Sequence, residues 1–333
     1  MNISELADEL NLSVTTVSRA LSGQGEKYRV SKATVQRVLD AAEKHHVAPD
    51  PLGAGLQRGK LGMVGLLVPD ITNSFFSGLA RSIELVLRKR GMTVQLCDTA
   101  EDEHCEVEVL EHILKRRLDG LILAPVGKSS ERLLRALESA PFPVVIVDRI
   151  FPEITLPTVS LDNEAAGRLA AGHLLAHGHR RIACLRGDRE SHTDRARFRG
   201  VQAAMQQAGL QLDPALVQGA GYTRAAGVEG AQNILSQPHR PDAVISLNGQ
   251  GILGILEVAA EKNLQIPADL SVVAFDEQPW SALVKPPLTT IEQPVELIAK
   301  KAAELICEKI SGTKPKQRHI VLQAVLRERK SVA

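Results

Sequence analysis

The chain carries two kinds of hydrophobic pattern. Over the first 46 residues, apolar positions recur at helical spacing in three short amphipathic segments, and from Gly62 onward short apolar runs alternate with longer amphipathic segments. Short apolar runs are typical of buried strands, and the longer segments are typical of helices. The pattern therefore predicts an all-α N-terminal unit followed by an α/β core.

The elements of the core follow from the same pattern. Strands are predicted over residues 62–68, 92–97, 119–124, 143–148, 158–161, 181–186, 242–247, 270–275 and 319–326. Helices are predicted over residues 74–90, 101–117, 129–139, 163–177, 194–208, 224–236, 250–262 and 295–311. This alternation implies parallel sheets that are covered on both faces. Because so many strands exceed one ordinary sheet, we expect two doubly wound subdomains, with the chain crossing between them more than once.

The first two predicted helices form a helix-turn-helix over residues 3–22. Asn11 stands at the turn, where the backbone needs a residue that tolerates the left-handed conformation, and Ser13 is placed to cap the second helix. The outer face of that helix carries small side chains and one guanidinium suited to a major groove. These residues are Val14, Thr15, Thr16, Ser18 and Arg19. The pattern predicts a DNA-binding unit; the alternative is an ordinary helical hairpin packed into a core.

The distribution of charge favours DNA binding, although the net charge is only +1. Residues 1–10 hold three acids and no base, whereas residues 13–37 hold five bases and one acid. A basic face backed by acids is what a small phosphate-binding module needs. A third helix, predicted over residues 31–46, completes this unit, and the Pro- and Gly-rich segment after it predicts a linker.

Length and composition exclude several other classes of protein. A chain of 333 residues predicts two or three globular units. No apolar run approaches the roughly 20 residues of a membrane span, and no signal-peptide pattern is seen at the N-terminus. The four cysteines are scattered, which favours reduced thiols in a cytoplasmic protein. The sequence lacks metal-spaced histidines, a phosphate-binding loop and a nucleophile motif, so we expect no metal, no cofactor and no catalytic residues.

Short motifs along the core occur in a characteristic order. After the headpiece and linker come residues 65–70 (Gly-Leu-Leu-Val-Pro-Asp), 147–149 (Val-Asp-Arg), 177–183, 275–276 (Phe-Asp) and 287–291 (Pro-Leu-Thr-Thr-Ile). Together they resemble the LacI/GalR family of transcriptional regulators over the whole chain. The resemblance implies an all-α helix-turn-helix headpiece and an α/β periplasmic-binding-protein-like core of two doubly wound parallel-sheet subdomains. It also implies a cytoplasmic homodimer, most simply a repressor, that binds double-stranded DNA at a near-palindromic operator under the control of a small-molecule effector.

These expectations divide the chain into a headpiece, a hinge helix and an effector-binding core, at residues 1–48, 49–60 and 61–333. The first subdomain of the core is expected to hold residues 61–161 plus 293–318, and the second to hold residues 162–292 plus 319–333. In the DNA-binding part, the resemblance adds Ser13 to the contact residues of the second helix. It also assigns Leu56 as a wedge that enters the minor groove; a loose linker leucine is the alternative.

Polar and aromatic residues at strand ends predict an effector site in the cleft between the subdomains. They are Asp70, Asn73, Phe75, Phe76, Asp148, Arg149, Thr193, Arg197, Tyr222, Asn248, Asp276 and Gln293. Acids and amides suit a polyhydroxylated ligand, so a sugar, sugar phosphate or sugar acid is expected, with Arg149 and Arg197 available to an anionic group. The alternatives are that one of Phe75 and Phe76 is a core residue, and that Asp70 and Asn73 cap the next helix.

Two other functions are consistent with parts of the sequence. Phe75 and Phe76 are similar to the aromatic pair of purine-responsive relatives, which makes a purine-type co-repressor an alternative. Residues 249–254 form a GxGxxG sequence after a strand, with Asp276 at the end of the next strand, as in dinucleotide-dependent oxidoreductases. The late position of this sequence favours an ordinary helix start instead. Relatives commonly carry Asn-Asp where this chain has Asn248-Gly249, which leaves the identity of the ligand open.

Overall fold

The computed structural model describes residues 1–47, 61–127, 130–150, 153 and 155–333. The chain divides into two compact units, Met1–Gly62 and Met63–Ala333. The predicted hinge, including Leu56, lies outside the described residues.

Three helices form the first unit: α1 (Ile3–Glu9), α2 (Val14–Leu21) and α3 (Lys32–Lys44). Asn11 has a φ of 51° at the turn, and the Ser13 side chain accepts a hydrogen bond from the Thr16 N–H and caps α2, as the sequence predicts. The side chains that the helices bury almost completely are Leu6, Ala7, Val17, Ala20 and Val38. Because isolated helices of this length are marginal in water, this shared apolar core stabilises them.

The second unit is built from strands and helices that alternate along the chain. Its strands are β1 (Met63–Val68), β2 (Thr93–Asp98), β3 (Gly120–Leu123), β4 (Val144–Val147), β5 (Thr158–Leu161), β6 (Ile182–Leu185), β7 (Val217–Gln218), β8 (Ala243–Ser246), β9 (Ser271–Phe275), β10 (Thr289–Glu292), β11 (His319–Leu322) and β12 (Val325–Arg327). Its α-helices are α4 (Ser74–Arg88), α5 (Glu103–Leu114), α6 (Glu131–Glu138), α7 (Asn163–Ala176), α8 (His192–Gln207), α9 (Arg224–Leu235), α10 (Gly251–Glu261) and α11 (Val295–Ile310).

The strands form two sheets of six. The first sheet has the order β11-β5-β4-β3-β1-β2 and is parallel throughout. The second has the order β12-β10-β9-β8-β6-β7 and is parallel except for the edge strand β12. Strands β3, β4 and β8 are buried along their whole length, as expected when helices cover both faces. The prediction of two doubly wound parallel sheets is therefore confirmed.

The chain passes between the two sheets three times, after β5, after β10 and after β11. The crossing after β5 and the crossing after β11 are joined by a hydrogen bond. The Asp162 N–H donates to the Leu322 carbonyl at 2.8 Å, and the Asp162 carboxylate accepts from the Ala165 N–H at 2.9 Å at the start of α7. The residue that ends the first crossing thus also fixes the start of the next helix.

Two details of the predicted core are wrong. The sequence predicts one strand over residues 319–326, but β11 pairs with β5 in the first sheet and β12 pairs with β10 in the second. Residues 319–322 therefore belong with the first subdomain and not with the second. Hydrophobic alternation does not show which sheet a strand joins, so the crossing at residues 323–324 leaves no mark in the pattern. Strand β10 has no counterpart in the prediction because its sequence, Thr-Thr-Ile-Glu, is not a continuous apolar run; the two-residue β7 has none either.

Helices α7 and α8 approach each other through glycines. A Cβ on Gly167 would lie 1.9 Å from the Arg197 carbonyl oxygen, and a Cβ on Gly200 would lie 2.0 Å from the Glu164 carbonyl oxygen. Both obstacles are backbone atoms, which cannot move without separating the helices. By contrast, Gly172 is an exposed residue of α7 with nothing within 4 Å of a built Cβ.

We predict that Gly167→Ala destabilises the second subdomain by about 3 kcal/mol, because the added methyl group overpacks a backbone contact. The measurement is urea unfolding followed by fluorescence of Trp280, the only tryptophan of the chain, which packs against the core of this subdomain. Gly172→Ala in the same helix is the matched control and should be neutral or raise stability by up to about 1 kcal/mol. Equal unfolding midpoints for the two variants would contradict the close approach.

Candidate DNA-contact face and effector cavity

The outer face of α2 is accessible in the first unit. Ser13, Val14 and Thr15 are exposed, and Thr16, Ser18 and Arg19 are half-buried. Val14 is 47% exposed although it is apolar. These are the residue types that reach base edges and phosphates in a major groove, so the structure gives the predicted contact residues a common surface.

Arg19 has an aromatic neighbour that the sequence analysis does not single out. Its guanidinium carbon lies 4.0 Å from the centroid of the Tyr28 ring, within the range of a cation–π contact. Tyr28 lies in the turn between α2 and α3 and is 42% exposed. An aromatic residue in a stretch of basic residues is the sequence signal that could have identified Tyr28.

A small cavity of about 30 Å³ lies where the carboxyl ends of the two sheets face each other. Its walls contain every residue predicted for the effector site except Asp70, together with two residues after β8. They are Asn73, Phe75, Phe76, Asp148, Arg149, Thr193, Arg197, Tyr222, Asn248, Gly249, Gln250, Asp276 and Gln293. The Asp70 carboxylate instead accepts hydrogen bonds from the N–H (2.8 Å) and hydroxyl (2.6 Å) of Thr72, so it stabilises a turn.

Two aspartates at strand ends give the cavity its acidic character. Asp148 follows β4 with a φ of 64°, and Asp276 follows β9 with a φ of 69°, a conformation that is uncommon for residues other than glycine. Burial raises the pKa of the Asp148 carboxyl, and the nearby Arg149 and Arg197 partly offset this. Asp276 accepts hydrogen bonds from the Gly249 N–H at 3.1 Å and the Gln293 amide at 2.7 Å.

Arg149 is already neutralised by the protein. It forms a bidentate ion pair with Glu101, with both N–O distances at 2.7 Å, and donates to the Val126 carbonyl. Its guanidinium carbon also lies 4.2 Å from the centroid of the Tyr222 ring. The expectation that Arg149 offers its charge to an anionic ligand therefore does not fit the geometry.

Arg197 is held at the cavity by the second subdomain. Its Nε donates to Asn163 Oδ1 and its Nη1 donates to the Leu247 carbonyl, both at 2.8 Å. Its guanidinium carbon lies 4.5 Å from the centroid of the Phe275 ring. These contacts fix the plane of the guanidinium, which forms part of the cavity wall.

Four buried polar atoms in the cavity wall have no hydrogen-bond partner among the described residues. They are Thr193 Oγ1, Tyr222 Oη, Asn248 Nδ2 and Gln293 Oε1. The Oδ1 atom of Asn248 accepts from the N–H groups of Gln250 and Gly251, which orients the amide. Burial raises the pKa of Tyr222 to about 12, so its hydroxyl stays protonated. Because an unpaired buried polar group costs about 1–3 kcal/mol, these atoms make the cavity a candidate site for a polar ligand.

Gln278 is a second residue that the sequence analysis misses. Its Oε1 accepts a hydrogen bond from the Ser74 hydroxyl, which joins the start of α4 in the first subdomain to the loop after β9 in the second. Its buried Nε2 has no partner in the described part of the chain. A Cβ on Gly249 would lie 2.5 Å from this nitrogen. The glycine that departs from the family pattern thus makes room for Gln278.

The GxGxxG sequence has a packing role. A Cβ on Gly254 would lie 2.2 Å from the carbonyl carbon of Gly227, so this glycine lets α10 approach α9. Ile252 is fully buried in the core.

The described ranges contain no group of three or more His, Cys, Asp or Glu placed to hold a metal ion. Among the helices described, none is long and apolar enough to cross a membrane.

The combination of a helix-turn-helix unit with a two-subdomain, ligand-binding core defines an effector-controlled DNA-binding regulator. Comparisons with known proteins agree with this class. Residues 2–50 match the family described as bacterial regulatory proteins, lacI family, and residues 171–332 match the periplasmic binding protein-like domain. The HTH-type transcriptional repressor CytR of Escherichia coli (strain K12) is 32% identical over 308 residues, which cover 92% of this chain and 89% of CytR. The chain therefore belongs to the LacI family of bacterial regulatory proteins.

Solved structures agree with the fold. The transcriptional regulator CelR in complex with cellobiose is 26% identical, with a TM-score of 0.75 and 99% of each chain covered. The lac repressor dimer bound to its operator and an anti-inducer has a TM-score of 0.88 over 100% of this chain and 99% of the repressor chain. At 23% identity it supports the fold alone. As a LacI-family member the protein is a DNA-binding transcriptional regulator and not an enzyme.

A buried carboxyl group lies behind the Arg149 ion pair. Glu106 is 1% exposed, its Oε1 accepts from the Val126 N–H at 2.8 Å, and its Oε2 has no partner among the residues described. Burial raises the pKa of this carboxyl from 4.5 to about 7, against the hydrogen bond from Val126 and the charge of Arg149, which lower it. Because the folded state binds this proton more tightly than the unfolded state, stability from this group falls as pH rises from about 4.5 to 7.

We predict that Glu106→Gln stabilises the protein by about 2–3 kcal/mol at pH 8 and by much less at pH 5. The amide keeps the acceptor for the Val126 N–H without a charge to bury. The measurement is urea unfolding of both proteins across this pH range. Glu108→Gln, which changes an exposed residue of the same helix, is the control; an equal gain at both pH values for Glu106→Gln would contradict the assignment.

Proposed function

We propose that the protein is a cytoplasmic, homodimeric repressor whose affinity for operator DNA is controlled by a small, uncharged polyhydroxylated effector bound in the cavity. The observation that carries the proposal is the set of four unpartnered buried polar atoms in the cavity wall. The Asn248 nitrogen donates hydrogen bonds, the Gln293 oxygen accepts them, and the two hydroxyls do both. A ligand rich in hydroxyl groups donates and accepts at each position and therefore pairs with all of them.

The charges of the cavity favour a neutral sugar over a sugar phosphate or a sugar acid. Arg149 is paired with Glu101, and two of the three nitrogens of Arg197 are engaged with Asn163 and Leu247. Asp148 and Asp276 face the remaining space. A dianionic phosphate there would meet two carboxylates, and only the guanidinium of Arg197, whose two partners are uncharged, would oppose them among the described residues of the wall.

The aromatic residues do not favour a purine. Phe75 and Phe76 meet edge to face, with an angle of 78° between their rings, and both are almost completely buried in the core of the first subdomain. Stacking on both sides of a base needs two parallel faces.

Access of the effector requires the two subdomains to separate. A cavity of about 30 Å³ holds about one water molecule, whereas ligand pockets commonly exceed ~300 Å³. The Ser74–Gln278 hydrogen bond joins the two subdomains and must open before they separate. An effector that binds one separation of the subdomains better than another shifts their equilibrium, and through it the DNA affinity.

For DNA, we propose that each headpiece (residues 1–48) reads one half of a near-palindromic operator, because a two-fold dimer presents two identical readers. Ser13, Val14, Thr15, Thr16, Ser18 and Arg19 are the proposed contact residues, with Leu56 of the hinge (residues 49–60) as the minor-groove wedge. The core of residues 61–333 holds the effector and the dimer contacts.

We predict that neutral pentoses or hexoses raise the melting temperature of the protein, because a ligand that binds only the folded state stabilises it. The same sugars as phosphates or as acids should give smaller shifts or none. The measurement is thermal unfolding of the full chain with each compound at matched concentration. A shift produced by the phosphates alone would contradict the neutral-ligand proposal.

The location of that sugar is tested with Thr193→Val, which removes one unpartnered hydroxyl and keeps the shape. We expect this variant to bind the sugar about tenfold more weakly by isothermal titration, with a normal unfolding curve. Thr93→Val, at an exposed position of β2, is the matched control and should bind as the unmodified protein does. Equal affinity of both variants would show that the sugar binds outside the cavity.

We predict that Arg19→Ala weakens binding to a specific DNA site far more than binding to a scrambled duplex, since one bidentate base contact contributes about 1–3 kcal/mol of discrimination. The specific site is first selected from a random DNA pool with the full-length protein. Fluorescence anisotropy then gives the affinity for both duplexes at one fixed salt concentration. Equal losses for both duplexes would reduce Arg19 to a phosphate contact.

A further inference from the structure

The turn between α2 and α3 is a compact and anchored segment. Its backbone is closed by hydrogen bonds from the Gln24 N–H to the Arg19 carbonyl (2.9 Å), from Tyr28 to Gln24 (3.2 Å) and from Val30 to Gly25 (2.8 Å). Gly25 is buried, and a Cβ there would lie 2.5 Å from Val35 of α3. The first hydrogen bond ties the turn to the backbone of the residue proposed to read a base.

The side chains repeat that connection. The Arg19 guanidinium lies 4.0 Å from the centroid of the Tyr28 ring, and the Lys27 ammonium lies 5.5 Å from the same centroid. Tyr28 is 42% exposed and is not part of the apolar core of the headpiece. Its ring therefore contributes little to the folding of this unit and contacts the cation beside it.

We propose that Tyr28 is a positioning residue for base recognition: its ring holds the Arg19 guanidinium in the orientation that reads the major groove. An arginine side chain has many rotamers, and ordering it on binding opposes affinity. A cation–π contact that restricts those rotamers before binding reduces this loss. The inference rests on the proposed role of Arg19 as a base reader.

The test compares two substitutions at residue 28 in the full-length protein. Tyr28→Phe keeps the aromatic face and removes the hydroxyl, whereas Tyr28→Leu keeps apolar bulk and removes the face. We expect Tyr28→Leu to weaken binding to the selected operator duplex about threefold to tenfold while leaving the scrambled duplex unchanged. Tyr28→Phe should remain within about twofold of the unmodified protein.

A double-mutant cycle separates positioning from other roles. In the Arg19→Ala background, Tyr28→Leu should cause no further loss, because no guanidinium remains to be oriented. A loss that persists in that background, or a loss with Tyr28→Phe as large as with Tyr28→Leu, would overturn the proposal in favour of a folding role or a direct DNA contact by the hydroxyl. A damaged headpiece fold would appear as such a persistent loss.

Binding to duplexes with single base-pair changes measures discrimination between bases, which a change in the stability of the protein does not alter. Arg19→Ala should abolish discrimination at one position of each half-site, and Tyr28→Leu should reduce discrimination at that same position. If Arg19→Ala discriminates normally, the proposed base-reading role fails and the inference fails with it. If Arg19→Ala behaves as expected but Tyr28→Leu discriminates like the unmodified protein, the positioning role alone is refuted.

Discussion

Burial of polar atoms where two parallel sheets face each other is the constraint on which the rest of the core depends. Parallel strands end at a common edge, so their terminal residues converge, and here two such edges meet. The protein satisfies part of this polar surface itself, as in the Arg149–Glu101 pair and the Asp276–Gln293 hydrogen bond. The part that it leaves unpaired among the described residues, at Thr193, Tyr222, Asn248 and Gln293, is the basis of the proposed polyhydroxylated effector.

Much of this arrangement follows from the sequence. Buried parallel strands appear as continuous apolar runs, and the residues directly after such runs lie near the carboxyl edge of the sheet. That reasoning alone places Asp148, Asn248 and Asp276 together. The helix-turn-helix can also be predicted from the sequence, because Asn11 and Ser13 carry local backbone signals that do not depend on distant contacts.

What the sequence does not reveal depends on contacts between residues that are far apart in the chain. Glu101 neutralises Arg149 from 48 positions away, and Ser74 meets Gln278 across 204 positions; neither pair leaves a periodic pattern. The two strands within residues 319–326 join different sheets for the same reason. Asp70 is predicted for the effector site but does not line the cavity. A polar residue after a strand can stabilise its own turn instead, as Asp70 does.

The most direct test of the central claim uses the reciprocity of coupled binding. If an effector in the cavity controls the DNA affinity, then operator DNA must change the effector affinity by the same factor. Isothermal titration of the effector into the free protein and into the protein saturated with operator duplex measures that factor. We predict a change of about fivefold or more, equal to the effect of the effector on the operator affinity. An effector affinity that is the same with and without operator DNA would contradict it.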